Sequence, residues 1–417
     1  MAQPAVDRNR IALLTRGLSG GGVQAMMLNT ARELVARGYR VDLLMNARRA
    51  KGAAPDGLTA RPLSLRPRVC GRILSLRAAP EDFDVLARPV LFGLVAAEQL
   101  RLLPSLRRYL AEARPAGLIS ATTYANLAAI WARALADVPT RILVSERDDL
   151  AQNLAEGVAR RAWRWRYAPP LIQRAYPRAE AIVGVSDGVA ESLARTTGLD
   201  RARIHTVYNP VVTDGLLAAA AEAPDEPWLD AGEPPVIVAA GRLVQKKDYP
   251  TLLRAFARLR AERPVRLLIL GEGRERGRLE ALASTLGVAA DVKLPGWAGA
   301  PAGYMARAAA FALSSTREGF GNVIVEALAC GLPVVSTDCP SGPAEILGGG
   351  RYGRLVPPGD DAALAKALAE TLATPPDPAI LKARAGEFTA ARATSRYLEL
   401  LGLPDPAPAA AASSTSA

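Results

Sequence analysis

The sequence is poor in the residues that carry most metal and nucleophile chemistry. Its 417 residues include a single histidine, His205, and three cysteines, Cys70, Cys330 and Cys339. The cysteines are odd in number and form no Cys-x-x-Cys, which argues against a disulfide framework and for a reducing compartment; each reads as a small buried apolar residue. No uninterrupted apolar run approaches about 18 residues, so no membrane-spanning helix is expected. The charged start "MAQPAVDRNRIALL" lacks the apolar core of a signal peptide, which makes a cytoplasmic protein the expectation. The one Asp-x-Asp, Asp82 to Asp84, does not follow a clear apolar strand and is not expected to hold a metal. No repeat of about 20 to 50 residues points to a solenoid.

What is present is apolar content and positive charge. Half of the residues are hydrophobic, and at this length two domains of roughly 200 residues each are expected rather than one core. A formal net charge of +11 favours anionic partners: nucleotides, phosphates, nucleic acid or an acidic membrane face.

The apolar pattern alternates strand and helix. "RIALLT" reads as a buried strand, "RGLSGGG" as a loop and "VQAMMLNTARELVARG" as a helix, its stripe made by Val23, Met26, Met27, Thr30 and Leu34. "YRVDLLM" returns as a strand, completing a βαβ unit. "GLIS", "RILVS", "AIVGVS" and "IHTVYN" continue the series. The stretch "AEAPDEPWLDAGEPP", residues 221–235, is rich in proline and acid and reads as a linker. A second α/β series follows in "PVIVAAG", "VRLLILG", "DVKLPG", "AAFALSS" and "LPVVSTD", and the tail reads as low-complexity and disordered.

In open α/β sheets ligands sit beyond the carboxyl ends of the strands, so the loops there carry the candidates. "EGFGNVIVE" sets Glu318 and Glu326 around Gly319 and Gly321. A helix from about Asn322 puts Glu326 one turn inside, facing the loop, behind a helix N-terminus that can receive an anion or a sugar oxygen. A carboxylate there can accept both hydrogen bonds of a ribose diol. From spacing alone the two acids read equally as ordinary surface residues. "GRLVQKK" places Arg242 and Lys247 after a strand, a forked and a point cation suited to a diphosphate, or else a solvated basic loop. "GEGRERG" lacks the last glycine of a dinucleotide fingerprint, and "SGGG" offers bare backbone at Gly20, Gly21 and Gly22.

With these motifs in order, residues 10 to 401 resemble glycosyltransferase family 4, retaining enzymes of the GT-B fold. "VGVSDGVAESL", "VYNPV" and "ALACGLPVVSTDCPSGPAEIL" extend the similarity. The resemblance implies two doubly wound Rossmann-like domains facing across a cleft. Residues 1–220 would form the acceptor side, 221–235 the linker and 236–388 the donor side. Residues 389–403 would form a helix packing back towards the N-terminal domain, with 404–417 a disordered tail. It implies that Glu326 holds the donor ribose, that Glu318 contacts the donor sugar, and that the backbone from Phe320 through Gly321, Asn322 and Val323 binds sugar hydroxyls. Arg242 and Lys247 would clamp the diphosphate, with Gly21 and Gly22 completing that site. Glu318, Arg242 and Lys247 are the expected catalytic set, with no metal and no cofactor.

The donor implied is a nucleoside-diphosphate sugar, with "DCPSGPAEIL" resembling a subgroup that often uses UDP-sugars. The acceptor implied is a glycan or lipid-linked hydroxyl. Many relatives carry a histidine in an N-terminal loop, whereas His205 lies in a strand-like run and reads as structural. Thr122, Thr123 and Asn126 stand where that histidine is expected, and "SERDD" adds Glu146 and Arg147 as acceptor-side candidates. A GT-B epimerase or phosphorylase, or a silent binding subunit, are the alternatives. "RRAWRWRYAPPLIQRAYPR" interleaves arginine with aromatics, but no nucleic-acid module surrounds it and no nucleic acid is expected. Arginines at 61, 66, 68, 72, 77, 101, 107, 108, 160, 161, 164, 166, 174 and 178, with Trp163 and Trp165, instead suggest peripheral attachment to an anionic membrane face.

Overall fold

The structure, a computed structural model, describes residues 5–15, 17, 21–49, 54–86, 98–159 and 163–406. Gly20, Arg160, Arg161 and the tail beyond residue 406 therefore lie outside the described residues, as do the side chains of Trp163 and Arg164. Two compact units divide the chain: residues 1–210 with 390–417, and residues 211–389.

In the first unit, β1 (Asp7–Leu14), β2 (Arg40–Asn46), β3 (Leu58–Leu63), β4 (Pro115–Ala121), β5 (Arg141–Glu146), β6 (Ala181–Gly184) and β7 (Ile204–Thr206) form one parallel sheet. The order is β3-β2-β1-β4-β5-β6-β7, so the winding reverses between β1 and β4. The run "IALL" explains why β1 is central. Ile11 and Leu13 pack on one face with Met27 and Leu34 of α1 (Gly22–Ala36), while Ala12 and Leu14 pack on the other with Leu118 and Trp131. A strand apolar on both sides needs helices on both sides. One cover comes from the far end of the chain. In the helix Ala390–Leu400, Tyr397 is fully buried on this sheet, and Arg37 at the end of α1 donates to Ala391 O and Ser395 Oγ, both at 2.8 Å.

The second unit holds β8 (Val236–Ala240), β9 (Arg266–Leu270), β10 (Val292–Gly296), β11 (Ala310–Leu313), β12 (Val334–Thr337) and β13 (Arg354–Val356), all parallel, in the order β10-β9-β8-β11-β12-β13. Here the reversal lies between β8 and β11. Ile237 and Ala239 pack with Leu252, Phe256 and Leu368 of the flanking helices.

The stretch expected as a linker is folded onto this second unit. The helix Asp214–Ala221 is capped by Thr213, and Arg307 donates to the carbonyls of Ala220, Ala221 and Glu222 at its end. Glu226 is buried and accepts from Lys293 at 2.6 Å, and Lys293 and Arg266 lie over the Trp228 ring at 4.1 and 4.9 Å. Two of the acids that suggest a solvated linker, Glu226 and Glu233, pair with Lys293 and Arg266 from later strands, which local composition cannot reveal. The cysteine expectation holds only for Cys339, since Cys70 and Cys330 are half-buried. No helix among the described residues is long and apolar enough to cross a membrane.

Candidate active site

The strand order reverses between β8 and β11, and in a doubly wound sheet that is where a crevice for ligands opens beyond the carboxyl ends. After β8 the chain runs through Gly241 and the exposed Arg242 to Lys247. After β11 it runs through residues 314–318. Ser314 Oγ donates to Lys247 O at 2.8 Å, and Thr316 N donates to Lys246 O at 2.9 Å, so the two exits are laced together. Thr337 at the end of β12 donates to Ser315 O at 2.6 Å. These hydroxyls were not singled out from the sequence; the signal was present in the small polar residues that end β11 and β12.

Lys247 and Glu318 meet at the centre of this arrangement. Lys247 Nζ donates to Glu318 Oε1 at 2.6 Å, with side-chain exposures of only 13% and 10%, and Ser315 Oγ donates to the same oxygen at 2.7 Å. Burial alone would raise the Glu318 carboxyl, but the Lys247 charge, its hydrogen bond and that of Ser315 hold it below the usual glutamate range. Glu326 has the opposite fate. Burial pushes its carboxyl up to about 7, with Lys247 the one charge acting against it. Two glutamates eight positions apart thus differ in protonation near neutrality.

Glu326 lies on the helix Asn322–Ala329, whose start at Asn322 matches the sequence reading. Gly321 precedes it and has no side chain to cap its first turn. Phe320 turns its ring inward against Phe388, 5.6 Å between centroids, so only its backbone faces the loop. Asn322 and Val323 are half-buried in the first turn. The loop before the helix Pro343–Ile346 presses on this one: a Cβ on Gly342 would lie 1.9 Å from Phe320 O, and its φ of 101° is itself a glycine conformation.

In the first unit Gly21 and Gly22 begin α1 at the exit of β1, with Gly21 at φ 119°. The five acceptor-side candidates fare differently from expectation. Thr123 donates to Glu146 Oε2 at 3.0 Å, Asn126 Nδ2 to Glu146 Oε1 at 3.3 Å and to Tyr176 OH at 2.9 Å, and Tyr176 also donates to Glu146. All four residues are buried. Burial raises Glu146 to about 7 against these hydrogen bonds. Arg147 is buried as well, donating to Asn209 Oδ1 at 2.7 Å and to Tyr397 OH at 3.4 Å. Glu146 and Arg147 of "SERDD" thus belong to an interior polar network whose partners come from distant segments. Thr122 alone stays half-exposed, in a strained φ of 82° for a β-branched residue at the exit of β4. His205 lies in β7, half-buried. Asp82 and Asp84 both hold Arg174, at 2.9 and 3.0 Å.

Two parallel doubly wound sheets, the second with its crevice lined by a lysine, two glutamates and a glycine-led helix, define the GT-B class of α/β protein. Two family descriptions match the chain: Glycosyltransferase Family 4 over residues 20–214 and Glycosyl transferases group 1 over residues 234–374. The chain belongs to glycosyltransferase family 4. Among curated relatives, it is 36% identical over 186 residues to the N-acetylgalactosamine-N,N'-diacetylbacillosaminyl-diphospho-undecaprenol 4-alpha-N-acetylgalactosaminyltransferase of Campylobacter jejuni, covering 45% of this chain and 49% of that protein. It is 34% identical over 227 residues to the lipopolysaccharide core biosynthesis glycosyltransferase LpsE of Rhizobium meliloti, covering 53% and 64%. The match therefore spans about half to two thirds of these relatives' length. Anabaena HepE, solved in complex with UDP-glucose, shares the fold with a TM-score of 0.70 at 18% identity, covering 94% of this chain and 99% of that one.

Proposed function

We propose that the protein is a retaining, metal-independent glycosyltransferase that moves a hexose or N-acetylhexosamine from a UDP-sugar to a hydroxyl of a glycan or lipid-linked acceptor. The product would belong to cell-surface polysaccharide, lipopolysaccharide or glycolipid. The observation that carries this reading is the buried Lys247–Glu318 pair beside Glu326, at the strand exits where the second sheet reverses. The names of the relatives, which act in lipopolysaccharide or on lipid diphosphates, support the acceptor class. The UDP-glucose complex of the HepE structure supports the donor class.

The geometry suits the chemistry residue by residue. An ammonium has three protons; one goes to Glu318, and two remain for diphosphate oxygens. Arg242, exposed in the same loop, adds a forked donor. Both contacts to Glu318 fall on Oε1, which leaves Oε2 to receive a hydroxyl of the donor sugar. Glu326 receives the ribose diol, and the amides from Phe320 to Val323 meet the remaining oxygens. As the bond between the anomeric carbon and the diphosphate breaks, its electrons pass to the phosphate oxygen, where Lys247 and Arg242 stabilise the growing charge. The acceptor oxygen bonds to the anomeric carbon on the face the diphosphate leaves, and its proton passes to a diphosphate oxygen. No protein nucleophile takes part, and neither Glu318 nor Glu326 is required to be one.

A panel of nucleotide sugars, each incubated with the purified protein with and without glycan acceptors, tests this through released nucleoside diphosphate. Binding without release from any donor would favour a silent subunit; absence of nucleotide binding altogether would overturn the reading.

A further inference from the structure

Arg147 is a buried cation that no anion matches. It stands immediately past the end of β5 with 6% of its surface exposed, and a guanidinium carries its charge wherever it is placed. Its contacts are all neutral. Nη1 donates to Asn209 Oδ1 at 2.7 Å, while Nη2 makes only longer contacts, to Tyr397 OH at 3.4 Å and Met27 Sδ at 3.7 Å. Nε is buried with no acceptor at all. Arg37, buried to the same extent in the same unit, shows the usual arrangement: its Nε donates to Glu33 at 2.9 Å and Nη1 reaches Asp405.

The acids beside Arg147 in the chain are engaged elsewhere. Glu146 accepts from Thr123, Asn126 and Tyr176, and Asp149 accepts from Ser192 Oγ at 2.7 Å and Gln152 N at 3.0 Å. Among the described residues no carboxylate pairs with Arg147. The hydroxyls of the helix Ala390–Leu400 are short of acceptors too. Tyr397 OH receives from Arg147 and donates to no described residue, and Thr394, one turn earlier on the same buried face, has a buried hydroxyl without a partner. Donors exceed acceptors here, and one positive charge is left over.

Orphaned donors around an unmatched buried charge are costly to fold, so what the cluster lacks is an acceptor that carries negative charge. Its place in the sheet agrees. Arg147 and Asn209 lie just past the ends of β5 and β7, at the carboxyl edge where doubly wound sheets receive ligands, and α1, which brings Met27 to them, has no acid in its first turn. We propose that Arg147 and the Tyr397 hydroxyl form an oxyanion subsite of the first unit that takes a phosphoryl group. The edge left without a strong acceptor is the one that carries Nε–H and Nη2–H, the fork that fits two phosphoryl oxygens, and Tyr397 can turn its proton to one of them. This rests on the transferase reading, whose substrates are phosphoryl compounds. The group is a phosphate of the acceptor or of the nucleotide donor, and the test separates the two.

Thermal melts and calorimetric titrations of the full chain in Tris chloride use UDP and farnesyl diphosphate as probes. Arg147→Met keeps the apolar stem and removes the charge, so without a probe it should melt at or above the wild-type temperature. It should bind at least one of the probes about tenfold or more weakly. Tyr397→Phe keeps the buried ring and should weaken the same probe about threefold or more. Farnesyl diphosphate weakened in Arg147→Met but not in Arg242→Ala marks an acceptor phosphate, whereas UDP weakened in both marks the donor. Wild-type affinity for both probes in Arg147→Met overturns the proposal, as does a wild-type chain that binds neither. A lower melting temperature of Arg147→Met without probe would make Arg147 a structural residue and overturn it as well. A chain that releases nucleotide from no donor yet binds farnesyl diphosphate through Arg147 would count against the transferase reading and leave the subsite standing.

Discussion

Replacing Glu326 by glutamine should abolish a proton release that accompanies nucleotide binding. Burial holds the free Glu326 carboxyl at about 7, so at pH 7 about half of the molecules carry its proton. A ribose diol donating to the carboxylate favours the ionised form. Two charge-assisted hydrogen bonds worth about 1 kcal/mol each in excess of those to the neutral acid would lower it by about 1.5 units. Binding should then release roughly half a proton per site at pH 7 and nearly none at pH 8. The same shift makes binding about sevenfold to eightfold weaker at pH 6 than at pH 8. The sign for folding runs the other way: with a carboxyl raised from 4.5, the Glu326 contribution to the stability of the unliganded second unit is most favourable below about pH 4.5, opposite to that of Glu318, whose lowered carboxyl contributes stability that is lost in acid. That single contribution falls by up to about 3 kcal/mol as pH rises from 4.5 to 7. Calorimetric titration with a UDP-sugar in two buffers of different ionisation enthalpy measures the release directly. A diphosphate ester is preferred to the free diphosphate because its phosphates do not titrate near 7. Glu326→Gln keeps a carbonyl for the diol but carries no titrating proton, so its pH profile should be flat between 6 and 8. Equal proton release in wild type and variant would refute the assignment of Glu326 to the ribose.

Lys247→Ala and Arg242→Ala should each lower turnover by about 10²-fold or more, the usual loss when one preorganised charge donor is removed; wild-type rates in both would end the diphosphate-clamp assignment. Only Lys247→Ala should also lower the melting temperature, because it strands the buried Glu318 carboxylate. Glu318→Ala should leave binding of the free nucleoside diphosphate within a few-fold of wild type while transfer falls, and equal losses of binding in Glu318→Ala and Glu326→Ala would contradict their separate roles. Gly342→Ala should weaken donor binding and stability together, since its Cβ meets Phe320 O at 1.9 Å in a conformation alanine resists; calorimetry and a thermal melt on one preparation check both.

The parts of the fold that were legible in the sequence are those written in periodicity. The continuous apolar runs of β1, β8 and β11 need cover on both faces, and that requirement alone implies two doubly wound sheets with ligands at their exits. The helix at Asn322 follows from helical spacing in the same way. What stayed hidden depends on partners far along the chain. Glu146 follows a strand just as Glu318 follows one, and nothing local distinguishes them. One is sealed by Tyr176 and Asn126, and the other faces Lys247 in the crevice. Arg147 looks like a surface cation until Tyr397, 250 residues later, arrives beside it. The helix Asp214–Ala221 looks like the approach to a linker because the arginine that closes its end, Arg307, belongs to a helical turn more than 80 residues away.

One lysine serving two glutamates also orders the events at the site. In the free protein the Lys247 charge is matched by Glu318, which is ionised, and Glu326 is half neutral, so these three side chains together carry one cation and about one and a half anions. A diphosphate entering this field would need positive charge, which on the proposed assignment Arg242 and the two unspent protons of Lys247 would provide without breaking the pair to Glu318. On the proposed assignment, a ribose that displaces the Glu326 proton would add a negative charge to a site that also receives the diphosphate. Lys247, whose charge lowers both carboxyls, would offset that repulsion, because at low effective dielectric two close anions without a cation cost several kcal/mol. The pair therefore couples the two ends of the nucleotide: removing Lys247 should raise the Glu326 carboxyl further and weaken ribose recognition as well as diphosphate binding. It follows that Lys247→Ala, unlike Arg242→Ala, should move the midpoint of the pH-dependent proton release above 7, and an unchanged midpoint in both variants would show that the two glutamates titrate independently.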